Sequence, residues 1–140
     1  MKKLLIILSI TLIFYFNFIS PVTANIDFEI INVSLGNQQG QLIFTPNELK
    51  FSAGQKYKLV LDNPSPEKHY FTAKDFADAS WTQKVQAGKV EVKGAIHELE
   101  LKPEGVAEWV FIPEKRGVYE LYCSIKGHKE AGMKGTITIN

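Results

Sequence analysis

The stretch Tyr122-Cys123-Ser124-Ile125-Lys126-Gly127-His128-Lys129-Glu130-Ala131-Gly132-Met133 places a thiol, an imidazole and a thioether at even spacing in one loop. Soft thiolate and thioether donors beside imidazole select copper. Two His, one Cys and a weak axial Met form the recurrent trigonal set of copper electron-transfer sites. The loop holds three of these groups, as Cys123, His128 and Met133. The sequence has one Cys, three His and two Met, and one of the Met residues is the initiator. Met133 is therefore the available thioether, and the second imidazole comes from His69 or His97.

His69 follows the loop Asn63-Pro64-Ser65-Pro66-Glu67-Lys68 and leads into Tyr70-Phe71, which puts it at the start of a strand. Alone, a His bordered by aromatics is usually a packed core residue. Beside the complementary three donors it becomes the favoured fourth ligand. His97 lies in Ile96-His97-Glu98-Leu99-Glu100-Leu101 and lacks a loop that would carry it to a strand end.

Cys123, His128 and Met133, followed by Lys134-Gly135-Thr136-Ile137-Thr138-Ile139, resemble the ligand loop and last strand of the cupredoxins, the type 1 blue copper family. Phe44-Thr45-Pro46, Ala53-Gly54 and Leu59-Val60-Leu61-Asp62-Asn63 ahead of His69 resemble its early strands, so the resemblance covers most of the chain. The Cys-x4-His-x4-Met spacing is similar to that of auracyanin-like members. The resemblance implies a Greek-key β-sandwich and one type 1 copper ion cycling between Cu(I) and Cu(II), with His69, Cys123, His128 and Met133 as metal ligands. It implies a one-electron carrier rather than an enzyme, acting as a monomer with transiently docked redox proteins. The docking face would be the imidazole edge of His128 inside an apolar collar of Pro64, Pro66, Ile125, Gly127 and Ala131, flanked by Lys126 and Lys129. Many members follow the first His with Asn, which ties that strand to the residue after the Cys. Tyr70 stands there in this chain, which leaves Ser124 without that partner.

Residues 1–24 read as an export signal peptide. Met1-Lys2-Lys3 is positive, residues 4–19 are apolar except for Ser9, Thr11 and Asn17, and Val22-Thr23-Ala24 offers a small-residue cleavage site. Cleavage after Ala24 leaves residues 25–140 as one copper domain in a periplasm or thylakoid lumen. An uncleaved leader would instead tether the domain to a membrane, though the run is shorter than the ~20 residues that span a bilayer comfortably. Without Lys2 and Lys3, the 16 basic side chains become 14 against 15 acidic ones, a net charge near −1 that argues against nucleic acid as a partner. An exported chain with a single Cys has no internal disulfide, so its thiol can pair between chains, stay reactive or ligate a metal.

The rest of the domain reads as all-β. Residues 26–33 are rich in β-branched side chains, and residues 42–51 form short strands around Pro46. Tyr57, Leu59 and Leu61 alternate with Lys58, Val60 and Asp62 as in a half-buried strand. Trp109 and Phe111 are core candidates by size. Tyr119, Leu121 and Cys123 share one strand face, and Ile137 and Ile139 point inward. Some eight short strands make a sandwich or barrel. Residues 72–94 are expected to form an irregular flap outside it, with a short helix over 73–81 and a strand over 85–92. Two other functions fit these residues less well. A copper chaperone or storage protein would want an open site rich in Met or paired Cys, which this chain lacks. A hydrolase with Cys123 as nucleophile and His128 as base leaves Met133 without a role.

Overall fold

The computed structural model describes residues 28–140. The expected signal peptide, its cleavage site, and Ile26 and Asp27 of the expected first strand lie outside the described residues. In chain order the elements are β1 (Glu29–Leu35), β2 (Phe44–Thr45), β3 (Glu48–Phe51), β4 (Tyr57–Asp62), β5 (His69–Thr72), α1 (Lys74–Asp78), β6 (Ser80–Ala87), β7 (Val90–Val92), β8 (Glu98–Leu101), β9 (Val106–Pro113), β10 (Gly117–Tyr122) and β11 (Lys134–Ile139). They form an all-β Greek-key sandwich of two mixed sheets, ordered β2-β1-β4-β9-β6-β7 and β3-β11-β10-β5-β8. β1 pairs with β4 and β11 with β3 in parallel, and the other pairs are antiparallel.

Period-two alternation explains the core. Tyr57, Leu59 and Leu61 are buried while their neighbours are half-exposed. Ile137 and Ile139 are buried on β11, and Leu121 on β10 leads directly into buried Cys123. Phe111 meets Phe51 and Phe76 edge-to-face, Trp109 meets Phe76 edge-to-face, and Trp109 and Phe111 tilt against each other, at centroid separations of 5.2–5.6 Å. The indole N–H of Trp109 donates to the Thr82 hydroxyl at 3.1 Å, so its polar edge is satisfied inside the core. The chain crosses from one sheet to the other at Pro46, between β2 and β3.

Residues 72–94 do not form an irregular flap. The expected helix is the short α1, which ends before Ala79. Its Phe76 and Ala77 are fully buried and fill the sandwich beyond the short strand β5. β6 is then a full member of the six-stranded sheet, in register with β9 from Ser80↔Pro113 to Gln86↔Glu108. The expected strand over 85–92 is a hairpin, because residues 88 and 89 turn the chain from β6 into β7. A register shift between Thr82 and Lys84 breaks the alternation along β6.

The sheet registers bring several strand ends to one end of the sandwich. β4 runs there through the loop 63–68, which returns the chain as His69 at the start of β5. β10 and β11 pair at Tyr122↔Lys134, which clamps the base of the loop 123–133.

Candidate metal centre

Buried Asn63 folds the loop before His69. Its Nδ2 donates to the carbonyls of Glu67 and Leu101, both at 2.8 Å, and its Oδ1 accepts from the Ser65 N–H at 2.9 Å. This gives a six-residue connection the rigidity of a strand end. By composition the segment reads as a loop, and the role of Asn63 emerges only from its partners Glu67 and Leu101. The Asn-Pro-Ser signal for an Asx-type turn was present.

The second donor-bearing segment, residues 123–133, is held by its own backbone. The Cys123 N–H donates to the Met133 carbonyl at 3.1 Å, the Met133 N–H to the His128 carbonyl at 2.9 Å, and the His128 N–H to the Ile125 carbonyl at 3.0 Å. Gly127 and Gly132, at φ +87° and +112°, allow the turns that aim His128 and Met133.

These two supports bring one donor atom from each of His69, Cys123 and His128 to within 4.8 Å of one another. The Cys123 Sγ lies 3.5 Å from His128 Nδ1, and the two imidazole centroids are 5.3 Å apart. Three donors at about 2.0–2.3 Å from a shared ion stand about 3.7 Å apart, so the cluster has the dimensions of a metal site. Met133 is fully buried, and its backbone is hydrogen-bonded to both Cys123 and His128.

The donor chemistry fits a metal. Both ring nitrogens of His69 are buried and lack a hydrogen-bond partner among the described residues, which costs about 1–3 kcal/mol per group unless something else binds there. Burial first, and then the neighbouring His128 imidazole, holds the His69 pKa below its ordinary value. The ring is thus kept neutral, the form that can ligate. The Tyr70 N–H donates to Cys123 Sγ at 3.4 Å, which fixes the sulfur against the start of β5.

Tyr70 therefore ties β5 to the cysteine through its backbone. Its side chain turns away to Glu100, with Lys68 alongside. Ser124 is exposed and makes no side-chain hydrogen bond among the described residues, in line with the missing Asn. His97 lies elsewhere. His69 pairs with Leu101 on β8, so His97 sits four residues along, about 13 Å at ~3.3 Å per residue, and its Nε2 meets Asp78 Oδ1 at 2.7 Å.

His69, Cys123 and Met133 are fully buried, whereas His128 is half-buried. Around it Pro64 and Ile125 are half-buried, and Pro66, Gly127 and Ala131 are exposed. Leu42, absent from the expected collar, packs beside the same loop, its carbonyl 4.0 Å from where a Cβ on Gly132 would stand. The two flanking lysines differ in their surroundings. Lys126 is exposed and makes no ion pair among the described residues. Lys129, however, is bound to Glu120 at 2.6 Å and lies 4.5 Å over the Tyr122 ring, turned along β10.

A family model described as copper binding proteins, plastocyanin/azurin family, matches residues 31–140. The plastocyanin of Cucurbita pepo is 34% identical over 110 residues, covering 79% of this chain and 100% of that protein. The reduced auracyanin of Roseiflexus castenholzii has a similar structure, with a TM-score of 0.58 at 19% identity over 79% of this chain and 96% of that one. A copper nitrite reductase from Nitrosomonas europaea also reaches 0.58, at 11% identity over 81% of this chain and 49% of that one. These structural likenesses concern the fold. Copper is the ion that the donor set and the family share. Since the match runs from within β1 to the last residue and a plastocyanin is 34% identical over the same length, the chain belongs to the plastocyanin/azurin family of copper-binding proteins.

Proposed function

We propose that this chain is an exported one-electron carrier that holds one copper ion through His69, Cys123 and His128, with Met133 as a weak axial ligand. The observation that carries the proposal is the buried His69 imidazole, which has no hydrogen-bond partner among the described residues and shares a 4.8 Å cluster with Cys123 and His128. Copper bound there supplies a Cu(I)/Cu(II) couple. The chain's part is to keep the donors still. Asn63 fixes the approach of His69, the Tyr122↔Lys134 pair closes the ligand loop, and the core seals three of the four side chains from water. Donors that do not rearrange keep the barrier to electron exchange low, and their apolar surroundings tune the potential.

Electron exchange is assigned to the half-buried edge of His128, through brief docking of redox proteins on the collar of Pro64, Pro66, Ile125, Gly127 and Ala131 around it. A small apolar patch suits such weak encounters. The free charge on Lys126 would steer an acidic partner face and so govern the on-rate.

Variants test the ligand assignment. Cys123→Ser and His69→Ala should lose the intense visible absorption of the copper-loaded protein, and His97→Ala should keep it. Met133→Leu should still bind copper, with its potential shifted upward. A colourless His97→Ala protein beside a coloured His69→Ala protein would overturn the assignment. For docking, Lys126→Glu should slow stopped-flow electron transfer to an acidic redox protein at low salt. Lys129→Glu should matter less, because that charge is already paired. Equal rates for Lys126→Glu and wild type would move docking to another face.

A further inference from the structure

Gly36 directly follows β1 of the six-stranded sheet, whereas His69 opens β5 in the other sheet. The two meet where the sheets face each other at the metal end. Gly36 is buried at φ +72°, and its N–H donates to the Ile43 carbonyl at 2.8 Å, which fixes its backbone. A Cβ built on Gly36 would stand 2.9 Å from His69 Nε2, 3.2 Å from His69 Cδ2 and 2.9 Å from Ser65 Cβ. Real Cβ atoms essentially never show contacts under 3.0 Å. Neither neighbour has room to retreat. The His69 ring is fully buried with His128 close by, and Ser65 is held by Asn63.

We infer that Gly36 is a positioning residue for the metal site. Its backbone is the wall that seats the His69 ring, and its missing side chain sets how far the ring stands from Cys123 and His128. The Nε2–Cδ2 side of the ring lies against this wall, and the ring atom opposite that bond is Nδ1, which the wall turns toward the cluster. A methyl group at position 36 would push the ring toward the other donors. The inference rests on the assignment of His69 as a ligand.

Gly40 supplies a matched control. Its φ of +71° carries the same backbone penalty for any side chain, yet among the described residues no atom outside its chain neighbours lies within 4 Å of its Cβ position. Gly36→Ala and Gly40→Ala therefore differ in what the added methyl group meets. In the copper-loaded proteins, Gly40→Ala should keep the wild-type absorption band and midpoint potential. Gly36→Ala should bind one copper per chain with both the band and the potential shifted.

The metal-free proteins give a readout that needs no copper. Gly36→Ala should lower the denaturant midpoint more than Gly40→Ala does. In a His69→Ala background this extra loss should shrink by at least half, because the ring it strikes is gone. The inference is overturned if Gly36→Ala matches Gly40→Ala in band and potential, or if its loss adds fully to that of His69→Ala. If Gly36→Ala fails to take up copper, the metal-free cycle decides by itself. An intensely coloured His69→Ala protein would reject the ligand assignment instead, and the metal-free cycle tells that failure apart from failure of the packing claim.

Discussion

Replacing Asn63 tests whether the His69 loop is held by one buried amide. Its side chain makes three hydrogen bonds, and two of their partners, the Ser65 N–H and the Leu101 carbonyl, belong to buried residues. Each such bond contributes about 0.5–1.5 kcal/mol net, and a buried group left unpaired costs about 1–3 kcal/mol. The half-exposed Glu67 carbonyl can turn to water and adds little. Asn63→Ala should therefore lose about 3 kcal/mol, a large share of the ~5–15 kcal/mol that stabilises a typical domain. Asn63→Asp keeps an acceptor for Ser65 but sets a carboxylate against the two carbonyls, so it should be destabilised at least as much. The assay is denaturant unfolding of the metal-free protein, with hydrogen exchange at the Ser65 amide. That amide should lose protection in Asn63→Ala and keep more of it in Asn63→Asp. A loss under about 1 kcal/mol for Asn63→Ala would refute the claim that this amide organises the loop.

Further expectations concern the core and pH. Phe76→Ala should lose about 3–5 kcal/mol by thermal or chemical unfolding, because the ring is fully buried against Phe51, Trp109 and Phe111. In the metal-free protein, the depressed pKa of His69 means that its contribution to stability is fully present above the unfolded value near 6.5 and is lost as the pH falls below it. His69→Gln should flatten that part of the pH profile of the denaturant midpoint. The Asp78 carboxyl is held below its ordinary value first by its hydrogen bond from Lys74 and then by His97. Its contribution is therefore present at neutral pH and lost as the pH falls through the carboxylate range. Asp78→Asn should reduce the acid dependence seen with His69 already replaced.

What the sequence made legible follows from where each signal lies. The ligand loop could be read because three uncommon donor types fall within eleven residues. Tyr57, Leu59, Leu61 and Trp109 could be read because alternation and bulk are local properties. α1 spans five residues, too few to display a helical period, and its helix depends on the buried place of Phe76. β6 was hidden by its register shift and by Trp81, which is 56% exposed on the outer face although its size suggests a core residue. The roles of Asn63 and Gly36, and the pairing of Lys129 with Glu120, depend on partners across the fold, and no local pattern records them.

The most direct test of the copper-carrier assignment is a titration of the metal-free protein with Cu(II), followed by visible absorption. The assignment predicts an intense thiolate-to-copper band that saturates at one copper per chain and bleaches reversibly on one-electron reduction. Only weak absorption, saturation at more than one copper per chain, or a band that survives in Cys123→Ser would contradict it.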